Sequence, residues 1–214
     1  MKTHAVAQRS EQWFNARRGL PTCSRFDSIL TPKTAKPSSA QDSLIDDLIA
    51  ESIQPPEAGL IKPQFTTAEM EQGIVLEAEA RCAYELEYAT EQVSEVGFIT
   101  HDSGLFGGSP DALVGESGGV EIKCPLLSTH IGYVRAGELP PSYKCQVHGY
   151  LIVTGRNYWD FFSYARGTAP FHLRVTRDDF TAKLEAELHD FCARYNAERA
   201  KFNLPLIGGI KTDN

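Results

Sequence analysis

The chain has 214 residues, 42% of them hydrophobic, which suits one globular domain with a full core. A net charge of −7 argues against binding nucleic acid by bulk charge, and no stretch of eighteen apolar residues is present to span a membrane. Five scattered cysteines with no Cys-x-x-Cys pair point to a reducing cytoplasm and away from structural zinc, and Met1 to Val6 lacks the apolar stretch of a signal peptide.

Ser10 to Gly19 reads as a short helix capped by Ser10 and closed by Gly19, with Trp13 and Phe14 as its anchors to the core. Ser24 is placed to cap a second short helix through Ile29. Residues 31–39 form a polar loop, expected to be mobile. Ser39 to Ile53 is a helix with Leu44, Ile45, Leu48 and Ile49 on its apolar face. Gln54 to Phe65 is a proline-interrupted loop. Thr66 to Glu69 is a capping-box pattern opening a long helix, with Met70, Ile74, Ala78, Cys82 and Leu86 as its apolar stripe. Glu77 and Arg81 make an i, i+4 pair on it. Glu95 to Thr100 reads as a strand.

Two apolar runs, Ala112–Val114 and Val120–Ile122, flank Gly115 to Gly119 and predict a β-hairpin with a glycine-rich turn. Ser128 to Gly137 and Ser142 to Val153 read as helices, the second carrying Lys144, Gln146 and His148. Tyr158 to Tyr164 and Phe171 to Val175 are rich in strand-forming residues. The last helix, Arg177 to about Phe202, presents Phe180, Leu184, Leu188, Phe191 and Tyr195 at helical spacing. The tail from Leu204 is expected to be disordered.

This order implies an α/β (α+β) fold with a central mixed β-sheet flanked by helices. It divides a single domain, 1–203, into a helical part (1–90), a sheet core (91–176) and a C-terminal helix (177–202), followed by a flexible tail, 204–214.

Charge is segregated. Residues 1–36 carry seven basic and two acidic side chains, and residues 37–98 carry two basic and thirteen acidic. Such a distribution can leave a local basic surface on an acidic protein.

The hairpin carries the chemistry. Alternation along its second strand sends Glu121 and Lys123 to one face and Ile122 to the other. Asp111 opens the first strand, so the hairpin can gather Asp111, Glu121 and Lys123 at one end of a sheet. Two carboxylates bind a hard divalent cation such as Mg²⁺, and a lysine beside them can orient or deprotonate a water. Lys123, close to cations, is expected to have a depressed pKa. Arg17 and Ser24 together could hold a phosphate. Cys124 reads as a small buried hydrophobe, and His148 as an ordinary helix histidine.

Trp13…Arg17-x-Gly19…Ser24, Gly73-x-x-x-Glu77-x-x-x-Arg81, Ser109-Pro110-Asp111, Glu121-Ile122-Lys123-Cys124-Pro125 and Gln146…Val153-Thr154-Gly155 together resemble the phage lambda-type alkaline exonucleases. The resemblance covers roughly Trp13 to Arg177. It implies a restriction-endonuclease-like PD-(D/E)XK core and a metal-dependent exodeoxyribonuclease. Such an enzyme digests one strand of linear duplex DNA from a 5′-phosphorylated end to mononucleotides and leaves 3′ overhangs for strand annealing. It also implies Mg²⁺, as two ions with Mn²⁺ able to substitute, a homotrimeric ring, and a single-strand annealing recombinase as partner.

By the same resemblance Asp111, Glu121, the Ile122 backbone carbonyl and Glu77 match the metal ligands. Lys123 matches the lysine that activates water, and Gln146 the site glutamine. Arg17, Ser24 and Ser109 fall where the family holds the 5′-phosphate. Where some members have Gln-x-Gln, this chain has Gln146 and then His148. Two alternatives stay open: a restriction- or junction-type endonuclease on the same fold, and a non-catalytic DNA-binding protein.

Overall fold

A computed structural model describes residues 1–54, 68–89 and 91–208. Residues 55–65 of the proline-interrupted loop, the capping-box residues Thr66 and Thr67 and the tail beyond Gly208 lie outside the described residues, as do the side chains of residues 68–75.

The elements, in order, are β1 (Lys2–His4), α1 (Glu11–Arg17), a 3₁₀ helix (Cys23–Ser28), α2 (Gln41–Ile53), α3 (Ala68–Glu87), β2 (Val93–Ser94), β3 (Phe98–Thr100), β4 (Gly107–Gly108), β5 (Ala112–Val114), β6 (Gly118–Lys123), α4 (Leu127–Ala136), α5 (Pro141–Thr154), β7 (Tyr158–Ser163), β8 (Phe171–Thr176) and α6 (Asp179–Lys201). Five strands form a mixed sheet in the order β2-β5-β6-β7-β8, and β1-β3-β4 form a smaller one. Only the β6–β7 pair of the larger sheet is parallel. A parallel pair needs a long crossover, and α4 and α5 supply it.

Alternation decides which side chain meets which layer. Val120, Ile122 and Phe162 face α3, where Leu76, Ala80 and Tyr84 cover them. Leu113, Trp159 and Phe161 face the opposite layer, built from α2, α5, α6 and the 3₁₀ helix. Glu121 and Lys123 therefore project toward α5. The hairpin turn is shorter than expected, because Gly118 and Gly119 already pair with Val114 and Leu113 inside the strands. The reason is packing: a Cβ on Gly119 would come within 2.2 Å of the Trp159 ring.

Four expectations need correction. The stripe of α3 is not the one read from spacing: Ala78 and Cys82 are exposed, Leu86 is 81% exposed, and Leu76, Ala80 and Tyr84 are buried. Tyr84 can bury because its hydroxyl reaches Asp160 at 2.7 Å. Phe14 is exposed, and only Trp13 anchors α1, its Nε1 donating to Gly97 O at 3.1 Å. The tail does not begin at Leu204: Leu204 and Ile207 pack on the core, Asn196 holds both main-chain groups of Ile207, and Arg199 donates to Pro205 O at 2.7 Å. The 31–39 loop is likewise tied down, by Thr31 main- and side-chain bonds to Lys36.

Candidate active site

The hairpin register sets the centre of the site. Ala112 pairs with Val120, which brings Asp111 alongside the next residues of β6. Asp111 Oδ2 accepts the Ile122 main-chain N–H at 2.6 Å. Glu121 is 2% exposed. Its Oε1 accepts from Lys123 Nζ and, at 2.6 Å, from Gln146 Nε2. Its Oε2 is buried with no partner among the described residues. Lys123 Nζ also sits 5.1 Å over the Tyr143 ring, a cation–π contact from the first turn of α5.

These charges perturb one another. Burial pushes the Asp111 carboxyl up to about 8, and the neighbouring Glu121 adds to the rise. Burial works against the Lys123 ammonium, but Glu121 and Asp111 outweigh it and hold the lysine above its ordinary value. Among protein groups alone the shift is thus opposite to the depressed value expected from the sequence. Cys124 behaves as a small core residue, its thiol pushed up to about 12 by burial.

Glu77 lies at the margin of this group. It faces Arg81 at 3.5 Å and Arg9 at 3.6 Å, while Arg81 also pairs with Glu95. Among the described residues, no three His, Cys, Asp or Glu side chains are gathered so as to hold a metal ion unaided. The donors nonetheless fit one: a buried carboxylate oxygen without a partner, beside a second carboxyl that burial and the first carboxylate push upward, is an arrangement a divalent cation relieves. Ile122 can offer only main chain there, since its side chain is buried against α3.

A second group adjoins the first. Trp13 Nε1 donates to Ser109 Oγ at 2.8 Å, and the Arg17 guanidinium lies 3.9 Å over the Trp13 ring. Arg17 forms no ion pair with a described carboxylate, and burial lowers its pKa, partly offset by Tyr150 and Glu51. It is a cation with no carboxylate partner among the described residues, held over the same indole whose Nε1 donates to Ser109. Ser24 is not a helix cap. Thr22 holds the N-cap position, and Ser24 lies inside the 3₁₀ turn with Oγ 3.4 Å from Thr22 Oγ1.

The basic N-terminal segment is also less free than its charge count suggests, because Arg25 is committed to Asp47 and Glu51 on α2, both at 2.7 Å. His148, two positions beyond Gln146, points away from the site into the start of α6. Its Nδ1 meets Thr181 Oγ1 at 2.8 Å, and burial pushes it down to about 4. Tyr150 was not singled out by sequence. It sits four residues after Gln146 on α5, and its hydroxyl accepts from Gln146 Nε2 at 3.0 Å; the i, i+4 spacing was the available signal.

A mixed sheet with helices on both faces, carrying paired carboxylates and a lysine on adjacent strands, has the alkaline-exonuclease fold. It superposes on the alkaline exonuclease LHK-Exo from Laribacter hongkongensis with a TM-score of 0.76 and 35% identity, covering 91% of this chain and 96% of that one. LHK-Exo in complex with dAMP matches equally, at TM-score 0.76 and 34% identity over the same shares. A phage-related exonuclease from Haemophilus somnus 129PT shares the fold at TM-score 0.57 and 13% identity, covering 88% of this chain and 99% of that one. No curated protein matches. The chain belongs to the YqaJ-like viral recombinase domain family, whose profile matches residues 12–157.

Proposed function

We propose that this protein is a divalent-metal-dependent 5′→3′ exonuclease that shortens one strand of linear duplex DNA from a 5′-phosphorylated end, releasing mononucleotides and leaving a 3′ overhang. That it is a nuclease acting on DNA follows from its family and from its likeness to LHK-Exo. The observation that carries the finer reading is the Asp111–Glu121–Lys123–Gln146 group, with Glu121 Oε2 buried and unpartnered. The relative's complex with dAMP is consistent with a mononucleotide product.

In this reading Asp111, Glu121, the Ile122 carbonyl and Glu77 hold Mg²⁺, as two ions, and Mn²⁺ can replace it. Bound metal supplies charge stabilisation at the scissile phosphate and lowers the pKa of water. Glu77 serves only once its side chain turns from Arg9 and Arg81. Lys123 enters as the ammonium and steadies negative charge on the attacked phosphate; acting as a base requires the charge of Glu121 and Asp111 to be offset. Gln146 holds Glu121 Oε1 in place. Arg17, Ser109 and Ser24 take the 5′-phosphate, with the guanidinium held over the Trp13 ring.

A homotrimeric ring around DNA and a single-strand annealing recombinase as partner complete the proposal. A −7 chain holds DNA weakly by phosphate contacts, and a closed ring overcomes that by threading. Leu127, Ile131 and Val134 are exposed at helical spacing on α4, an apolar face suited to a neighbouring subunit. Among the described residues no helix is long and apolar enough to cross a membrane. The test is digestion of end-labelled linear duplex with Mg²⁺, comparing 5′-phosphate and 5′-hydroxyl ends, with closed circular DNA alongside. Cutting of the circle would instead support the endonuclease reading.

A further inference from the structure

We propose that Tyr150 is a positioning residue of this reaction, its hydroxyl pinning the Gln146 amide against Glu121 and tying it to the segment that carries Asp111. This role presupposes the nuclease reading above. The direction of each bond follows from what the groups can do. The Ser109 carbonyl can only accept, so the Tyr150 hydroxyl proton goes to it, at 3.1 Å. The hydroxyl oxygen is then left to accept, and it does so from Gln146 Nε2 at 3.0 Å. Gln146 Nε2 also donates to Glu121 Oε1, at 2.6 Å. Both hydrogens of one amide nitrogen are thus used, which fixes the amide plane. Ser109 is two residues from Asp111, so one hydroxyl links the supports of the two carboxylates.

The hydroxyl is delivered by a ring that cannot wander. Tyr150 is 2% exposed and stacks on Trp159 with centroids 4.8 Å apart. On its other side Gly108 makes room, since a Cβ there would lie 2.8 Å from Tyr150 Cε1. Burial, with Glu121 nearby, pushes the phenol well above its ordinary value, so it remains a donor at any working pH. A tyrosine that merely filled space would not need these two bonds, and phenylalanine would replace it without effect.

Tyr150→Phe keeps the ring and removes the hydroxyl. On 5′-phosphorylated linear duplex with Mg²⁺, kcat is expected to fall about tenfold, the worth of one hydrogen bond to the site, with KM for DNA ends unchanged. In a Gln146→Ala background the same substitution should cost clearly less than tenfold, because most of its effect runs through Gln146 and only the Ser109 bond remains to be lost. Wild-type kcat in Tyr150→Phe, or losses that multiply in the double variant, overturns the role. The Gln146 side-chain amide resonances in ¹H–¹⁵N spectra report it without turnover: they should shift in Tyr150→Phe while backbone amides of α6 do not. Unmoved Gln146 resonances overturn the role as well. Failure of the wild-type chain to release any nucleotide with any divalent ion is a separate result, which removes the nuclease reading itself.

Discussion

Gln146 on α5 donates to Glu121 on β6 at 2.6 Å, so the crossover that permits the parallel β6–β7 pair also brings a donor to the most buried carboxylate of the site. The other acidic groups are placed by the hairpin and by α3, and each can be tested separately.

Lys123→Ala is expected to lower the rate of nucleotide release by roughly 10²–10⁴-fold, the range for one positioned proton-transfer or charge-stabilising group. Asp111 and Glu121 remain, so calorimetry should still detect divalent-ion binding. Near-wild-type digestion would remove Lys123 from the chemistry.

Arg17→Ala should narrow the preference for 5′-phosphorylated over 5′-hydroxyl ends while leaving a residual rate on both. The guanidinium has no carboxylate partner among the described residues, so its loss should change melting temperature little. An undiminished preference in the variant would move the phosphate pocket elsewhere.

The Asp111 carboxyl, raised to about 8, gives a pH signature. Its unfolded value is near 3.9, so between these limits the folded state binds more protons. In a chelator, this group's contribution to stability is therefore full below pH 4 and fades as pH rises toward 8. Asp111→Asn should flatten that decline and abolish most of the thermal stabilisation that Mg²⁺ gives the wild type above pH 8. Identical melting curves for the two proteins across this range would contradict the shift.

Arg174→Ala should destabilise the fold by about 2–3 kcal/mol. Asp160 is 0% exposed, and Arg174 makes two bonds to it, at 2.8 and 2.9 Å. Tyr84 remains as a partner, which keeps the loss below that of a fully orphaned charge. Urea unfolding measures it, and a change under 0.5 kcal/mol, the range of an ordinary surface substitution, would show the pair to be dispensable.

Ile131→Glu places a charge in the exposed stripe of α4. If copies of the chain meet there, the variant should run as a smaller species in light scattering after gel filtration and lose processive digestion against competitor DNA. An unchanged mass distribution, with a wild-type trimer, would place the interface on another face.

Much of this was legible beforehand because local pattern and global packing agree. The β5–β6 alternation, the stripe of α6 from Phe180 to Tyr195, and the i, i+4 face of α2 each have one reading, and the structure follows it. Helix α3 has two. Leu76, Ala80 and Tyr84 form one row and Ala78, Cys82 and Leu86 another, and only the sheet decides which is covered. Tyr84 does not count as apolar until Asp160 is seen to take its hydroxyl. Phe14 was unreadable for a related reason: its neighbour Trp13 has hydrogen-bond partners in the core, and one helical turn can bury only one of the two. In the site, Asp111, Glu121 and Lys123 come together as the hairpin pattern implied, and Gln146, which only the family resemblance pointed to, joins them from α5. Glu77 is held at the margin by Arg81, the i, i+4 partner its spacing showed, and by Arg9, which lies 68 positions earlier in the sequence, a distance no local pattern spans.

Ser109 and Asp111 are separated by a single residue, Pro110. Two residue steps span at most about 7 Å of chain, and proline allows that segment little freedom to lengthen or shorten. If one end grips a terminal phosphate and the other addresses the bond to be cut, the stretch between them is a ruler. In that reading the separation of the two grips is held by covalent geometry, with Pro110 limiting how far it can change. An insertion here, such as a glycine after Pro110, would then change what is released as well as how fast.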